Sequence, residues 1–190
     1  MLPRPSGLLA RAVTLAAAAA ILAACSGATP AVQGPTTAGL TPKGETAPGL
    51  GVIRVVDGDT IHVNRAGQDV TVRMIGIDTP ETVKPDSPVG CFGPEASDFA
   101  KESLTGRTVT LEFDDSQGRT DRYGRTLAYV WVEGNGGSLS LFNLDAVARG
   151  YARERQYGPT PFAWKREFRV AEDAASSHDV GLWAACSGES

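Results

Sequence analysis

Short runs of alternating apolar and polar residues begin at Ile53 and recur to Val132. Ile53 to Val56 and Thr60 to Val63 are β-rich and are separated by Asp57-Gly58-Asp59. Asp-Gly between two such runs is a strong hairpin signal. A third strand spans about Asp69 to Ile77. A fourth, Thr108 to Phe113, places Val109, Leu111 and Phe113 in alternation, and a fifth runs from Thr126 to Val132. Between the third and fourth strands the period lengthens. In "GPEASDFAKESLTG" Ala96, Phe99, Ala100 and Leu104 fall at helical spacing, Pro94 suits a first helical position and Gly106 can end the helix. A second helix is expected from about Leu139 to Arg149, stopped by Gly150. A third should start near Thr160-Pro161, with Trp164, Phe168, Ala171 and Ala175 at i, i+4, i+7 and i+11. That stripe predicts packing against the strands, not a ligand site.

Three strands, a helix and two strands is the order of an OB-type barrel, and two helices follow it. The expected fold is therefore α+β, mainly β: a five-stranded OB-type Greek-key barrel with three helices. No internal repeat appears, and 190 residues suit one domain.

The N-terminal quarter follows another pattern. Arg4 and Arg11 precede an Ala/Leu-rich run from Ala12 to Ala24 that is too short to span a bilayer, so residues 1–24 read as a signal peptide. The ending Leu22-Ala23-Ala24-Cys25 resembles the lipobox of bacterial lipoproteins. That resemblance implies cleavage before Cys25, lipid on Cys25, and an extracytoplasmic protein anchored to the cell membrane. Ser26 to Leu50 is nearly all Gly, Pro, Ser, Thr and Ala, with no aromatic residue. Such a segment buries too little apolar surface to fold, and as a coil it spans roughly 25–30 Å. Residues 25–50 are thus expected to tether a domain at 51–186, with 187–190 a polar tail.

Charge sharpens the picture. The chain carries 18 Lys and Arg against 22 Asp and Glu, a net −4 that becomes −6 once Arg4 and Arg11 leave with the signal. An acidic body argues for weak non-specific nucleic-acid binding. Yet Arg149 to Arg169 holds six basic residues and two acids, and Arg119, Arg122 and Arg125 crowd one loop, so a basic face can survive. Histidine chemistry is poorly supplied: only His62 and His178 exist, and neither sits in a recognisable motif. A phosphate-cradling Gly-rich loop with Lys and a nucleophile elbow are both absent.

The acids are better placed. Asp57 and Asp59 could open a calcium loop of the EF-hand type, but its twelfth position is Gln68, not Glu. A hairpin turn at "DGDT" and a strand end at "IDTPE" can instead share one barrel rim. Asp59 and Asp78 would then face each other, and facing carboxylates repel unless a cation sits between them. Arg73, in "VTVRMIGI", is a guanidinium among apolar residues and needs anionic partners. Those partners are Glu81 or Asp78 in an ion pair, or a bound phosphate. The loop "GRTDRYGR" around Asp121 reads either as a solvated charged hairpin or as arginines presented to phosphate.

Taken together, "VVDGDT", "VRMIGIDTPE", "GPEAS" and "RTDRYGRTLAYVW", in this order and spacing, resemble the staphylococcal nuclease (thermonuclease) family over roughly Val52 to Trp183. The resemblance implies calcium-dependent hydrolysis of DNA and RNA that leaves 3′-phosphate ends. It implies Ca2+ bound by the carboxylates of Asp59 and Asp78 and the carbonyl of Thr79, a Glu81 that orients or deprotonates the attacking water, and Arg73 and Arg125 on the phosphate. Asp57 would support the metal ligands from behind, and Tyr123 would lie near the nucleotide. "RERQYGPT" matches the family loosely and assigns nothing to Gln156 or Tyr157. The alternative is a non-catalytic OB-fold module that binds nucleic acid, which would have little reason to keep Glu81, Arg73 and Arg125 together. A monomer is expected. With Cys25 committed to lipid, Cys91 and Cys186 remain as a pair, and export places that pair where a disulfide forms.

Overall fold

Strand β1 (Thr46–Val55) extends well before the apolar run that predicts it. It is described in a computed structural model that covers residues 39–82 and 88–187; the expected signal peptide, Cys25 and most of the tether lie outside the described residues. The extra length has a backbone cause. β1 pairs with β5 (Thr108–Glu112) from Thr46 and with β2 (Thr60–Arg65) from Gly51, so the β5 ladder holds the early residues, whose side chains carry no strand signal. The tether therefore ends earlier than Leu50, which is itself buried. Lys43 and Gly44 already donate their N–H groups to the carboxylate of Glu112, at 2.7 and 3.0 Å.

Strand β3 (Gln68–Met74) pairs with β2, and β6 (Thr126–Glu133) with β5. A parallel pairing of β3 with β6, Arg73 opposite Leu127, closes the ring. The order β1-β2-β3-β6-β5 back to β1 is that of an OB-type barrel.

The expected third strand is two elements. After Met74 the chain turns at Ile75-Gly76, and β4 (Ile77–Asp78) leaves the barrel. Gly76 makes the turn possible: its φ is +80°, and a Cβ there would stand 2.8 Å from the Phe162 ring. The expected second helix also begins later. Leu139-Ser140-Leu141 has period two and forms β7 (Leu139–Leu141) on β6, before α2 (Phe142–Ala148). Strand β8 (Arg153–Glu154) then pairs with β4. Helix α1 (Gly93–Leu104) begins with Pro94, as predicted. Helix α3 (Lys165–Ser177) begins five residues after Thr160, because the Thr160 and Pro161 carbonyls accept bonds from Gln117 and Ser116, which hold that segment as a loop. The single-turn α4 (Leu182–Ala185) was not expected.

Ala128, Tyr129, Val130 and Trp131 on β6 are all buried, because one side of the strand faces the barrel interior and the other faces α3. Trp164, Phe168, Ala171 and Ala175 form the buried stripe of that helix. Trp131 meets Trp164 edge-on at 5.7 Å, and Tyr129 meets Phe168 at 6.3 Å. Buried Glu112 is satisfied by both indole N–H groups as well as by Lys43 and Gly44. Asn143 on α2 donates to the Ile75 carbonyl and accepts from Val130 N–H, both at 2.9 Å, and so holds the turn that precedes β4. Cys91 and Cys186 are bonded, joining the loop before α1 to the end of α4.

Candidate active site

The β1–β2 turn and the β4 strand end meet because Gly58 has no side chain. A Cβ there would lie 2.6 Å from the Thr79 side chain, so the turn packs directly on the residue after Asp78. Inside the turn, Asp57 Oδ1 accepts the Asp59 N–H at 3.1 Å and aims the next carboxylate inward. Asp59 is buried. Its Oδ1 accepts from the Thr60 hydroxyl at 3.0 Å, and its Oδ2 accepts from the N–H and hydroxyl of Thr79, both at 3.2 Å. Burial pushes its carboxyl up to about 6, against the pull of Arg73 and with a further push from Asp57.

Arg73 reaches the same point from the barrel. Its β3 position is opposite Thr60, and its Nη1 donates to the carbonyls of Met74 and Ile77. Nη2 lies 3.0 Å from Asp59 Oδ2, 3.5 Å from Asp78 Oδ1 and 2.7 Å from the Tyr157 hydroxyl. The nearest carboxylate is thus Asp59, where the strand alone pointed to Glu81 or Asp78. One guanidinium holds both aspartates, so the structure brings Asp59, Asp78, Thr79 and Arg73 together. Glu81 follows three residues past Asp78 and is exposed, with Oε1 accepting the Thr82 N–H at 2.9 Å.

Arg125 precedes β6, the strand that pairs with β3, and so comes to the same rim. It is clamped by Asp121, whose Oδ2 accepts from Nε and Nη2, both at 2.7 Å. Burial works against the Asp121 anion, but the Arg125 N–H and guanidinium and the Tyr123 N–H outweigh it and hold the carboxyl below its usual range. Arg119 is diverted to Glu45 and Asp115 and takes no part. A pocket of about 430 Å³ opens over these groups; Arg73, Arg125, Arg122, Tyr123, Arg155 and Tyr157 are among its lining residues.

Two pocket residues carried no assignment from sequence. Tyr157 donates its hydroxyl to Asp78 Oδ1 at 2.8 Å and accepts from Arg73, and burial followed by the Asp78 contact pushes its phenol up to about 12 despite Arg73. Its only sequence signal was an aromatic residue in a loosely matching loop. Arg155 becomes visible as a pocket residue only through β8, whose pairing with β4 leads its N–H to the Gly76 carbonyl at 2.9 Å.

The donor set suits a hard cation. Among the described residues no three His, Cys, Asp or Glu side chains group around one point. Two aspartates and a backbone carbonyl are nevertheless all oxygen, and Ca2+ completes six to eight oxygen ligands with water. Burial raises the cost of the Asp59 anion, and a cation beside it would offset that cost.

Fold and site define an OB-type α+β barrel whose rim joins two aspartates through Arg73 to a pocket lined by arginines. Residues 71–185 match the family model described as "Staphylococcal nuclease homologue". The chain is 44% identical to a thermonuclease of Staphylococcus hyicus over 133 residues, covering 70% of this chain and 74% of the relative. It is 42% identical to the Staphylococcus intermedius thermonuclease, over 70% and 74% of the two chains. It is 39% identical to Endonuclease YncB of Bacillus subtilis (strain 168), over 69% of this chain and 59% of that one. The chain belongs to the staphylococcal nuclease family.

Proposed function

We propose that this protein is a calcium-dependent nuclease, a phosphodiesterase that hydrolyses DNA and RNA and leaves 3′-phosphate ends. One observation carries the reading: a single guanidinium, Arg73, joins Asp59 and Asp78 at the rim where Arg125 also arrives. The relatives named thermonuclease and endonuclease point the same way.

Asp59, Asp78 and the Thr79 carbonyl would hold Ca2+, which when bound supplies positive charge beside the phosphate and polarises water. The chain's own residues do the rest. Attack on a phosphodiester concentrates negative charge on the equatorial oxygens, and planar guanidiniums aimed at them stabilise that charge more than the ground state. Arg73 is fixed for this by two carbonyls and Arg125 by Asp121, so little reorganisation is needed as charge develops. Glu81, exposed three residues past Asp78, accepts the proton of the attacking water. We further propose that the protein is exported, carries lipid on Cys25 and acts as an extracytoplasmic monomer held to the membrane.

The test is cleavage by the purified full chain of single-stranded DNA, duplex DNA and RNA, with calcium and with a chelator. Calcium-stimulated cleavage leaving 3′-phosphate ends is expected. Binding without cleavage under both conditions would make the protein a non-catalytic nucleic-acid module.

A further inference from the structure

Four arginines line the 430 Å³ pocket, and three of them have partners for their guanidinium in the protein. Arg73 is held by Asp59 and Asp78, Arg125 by Asp121, and Arg122 donates to the Tyr123 hydroxyl at 2.6 Å. Arg155 differs. Among the described residues no carboxylate lies within ion-pair distance of it, and its side chain contacts the Tyr157 ring, 5.8 Å from the centroid. Its placement is nonetheless fixed. β8 pairs Arg153 with Asp78 and Glu154 with Ile77, and the Arg155 N–H then bonds to Gly76. The two residues before it are engaged elsewhere: Arg153 lies over Trp183 and Glu154 is paired with Lys165. The turn that places Asp78 thus also delivers an uncompensated guanidinium to the pocket.

Arg73 faces the same Tyr157 ring, at 5.3 Å. The two guanidiniums thus flank one ring in one pocket, where a single strand passing over the ring can meet both, and a planar guanidinium fits a phosphate with two parallel bonds. We infer that Arg155 binds a non-scissile phosphate of the substrate strand, one internucleotide step from the bond that Arg73 and Arg125 flank. The identity of the ligand as a nucleic-acid strand rests on the nuclease reading above. This subsite gives an acidic protein a local grip on a polyanion and makes a phosphate beside the cleaved bond a determinant of substrate choice.

The experiment uses the full chain, Arg155→Ala, Arg155→Lys, and Arg149→Ala as a charge loss outside the pocket, where Arg149 is paired with Asp145. Binding of a fluorescent six-nucleotide single-stranded DNA is measured by anisotropy in chelator over a salt series, and KM and kcat are measured with calcium. Arg155→Ala should weaken binding and raise KM on the order of tenfold, with kcat within about twofold and a salt slope smaller by about 0.7. Arg155→Lys should restore part of the affinity and the full slope, and Arg149→Ala should leave KM unchanged. When the linkage on either side of the cleaved bond is replaced in turn by an uncharged methylphosphonate, one replacement should abolish the difference between wild type and Arg155→Ala. An unchanged KM and slope in Arg155→Ala, an equal effect of Arg149→Ala, or a deficit that persists with both replaced linkages would overturn the inference. Wild-type protein that binds but does not cleave would sink the nuclease proposal and leave this site to be judged by the binding data alone.

Discussion

At the scale of single residues, the two arginines assigned to the scissile phosphate are each held by specific partners. Arg73 and Arg125 are presented by carbonyls and carboxylates, so the two kinds of support can be separated by mutation. Arg73→Ala, Glu81→Gln and Arg125→Ala should each lower kcat by on the order of 10², the scale of losing a transition-state charge donor or proton acceptor. Asp121→Asn keeps the shape of the clamp but removes its charge, leaving Arg125 present and less firmly aimed. We expect a smaller loss, about tenfold, mainly in kcat. Steady-state kinetics on one oligonucleotide, with circular dichroism to confirm folding, checks the ordering; an Asp121→Asn enzyme as poor as Arg125→Ala would mean that the clamp is part of the chemistry.

At the scale of elements, the loop between β5 and β6 is tied to the segment before α3 by Ser116, Gln117 and, most extensively, one acid. Asp114 accepts from the Ala163 N–H, from the hydroxyl and N–H of Ser116, and from the Tyr129 hydroxyl. Burial pushes its carboxyl up, but these bonds together hold it below its ordinary value. Since the folded pKa lies below the unfolded one, the stabilisation is fully present above the unfolded value near 3.9 and is lost as pH falls through the folded value. Denaturant unfolding from pH 7 to pH 2 should therefore show stability falling below about pH 4. Asp114→Asn should be less stable at pH 7 by about 1–3 kcal/mol and should show a shallower acid decline. An unchanged acid decline would assign it to other carboxylates, such as Glu167, which its own N–H and then Lys43 hold low against burial.

At the scale of the whole molecule, a disulfide ties the folded end of the chain and a lipid is proposed for the other. The Cys91–Cys186 bond spans 95 residues and ties α4 beside the loop that carries Asp78, Thr79 and Pro80. In the chain-entropy model a cross-link of that span contributes up to about 4–5 kcal/mol. Reduction should lower the melting temperature by roughly 5–15 °C while the folded enzyme keeps its activity; a melting curve unmoved by reductant would remove the bond from the stability account. The proposed lipid on Cys25 is a separate matter of address. Wild type should partition with membranes and detergent, because more than one acyl chain gives stable anchoring, and Cys25→Ser should be released or remain unprocessed. Equal partitioning of the two would end the lipid proposal.

Much of this protein was legible before its fold. Period-two runs, an Asp-Gly turn, a Pro-started helix and an aromatic helical stripe are local signals, and they gave the barrel order and the buried face of α3. Arg73 was legible because a guanidinium stands out among apolar residues, Asp59 and Asp78 because a hairpin turn and a strand end can share one rim, and Arg125 through the family resemblance of its loop. What the sequence left open was decided by long-range pairing. Residues 46–50 read as tether because their pairing with β5 does not depend on side-chain pattern. The Ile75-Gly76 break was hidden because its cause, the Phe162 ring, lies more than eighty residues away. Arg73 found Asp59 across a closed barrel, and Arg155 reached the pocket through a two-residue strand too short to leave a pattern. A chain writes its local preferences in order; which charges meet is set by the closure of the sheet, and that closure is a property of all its strands at once.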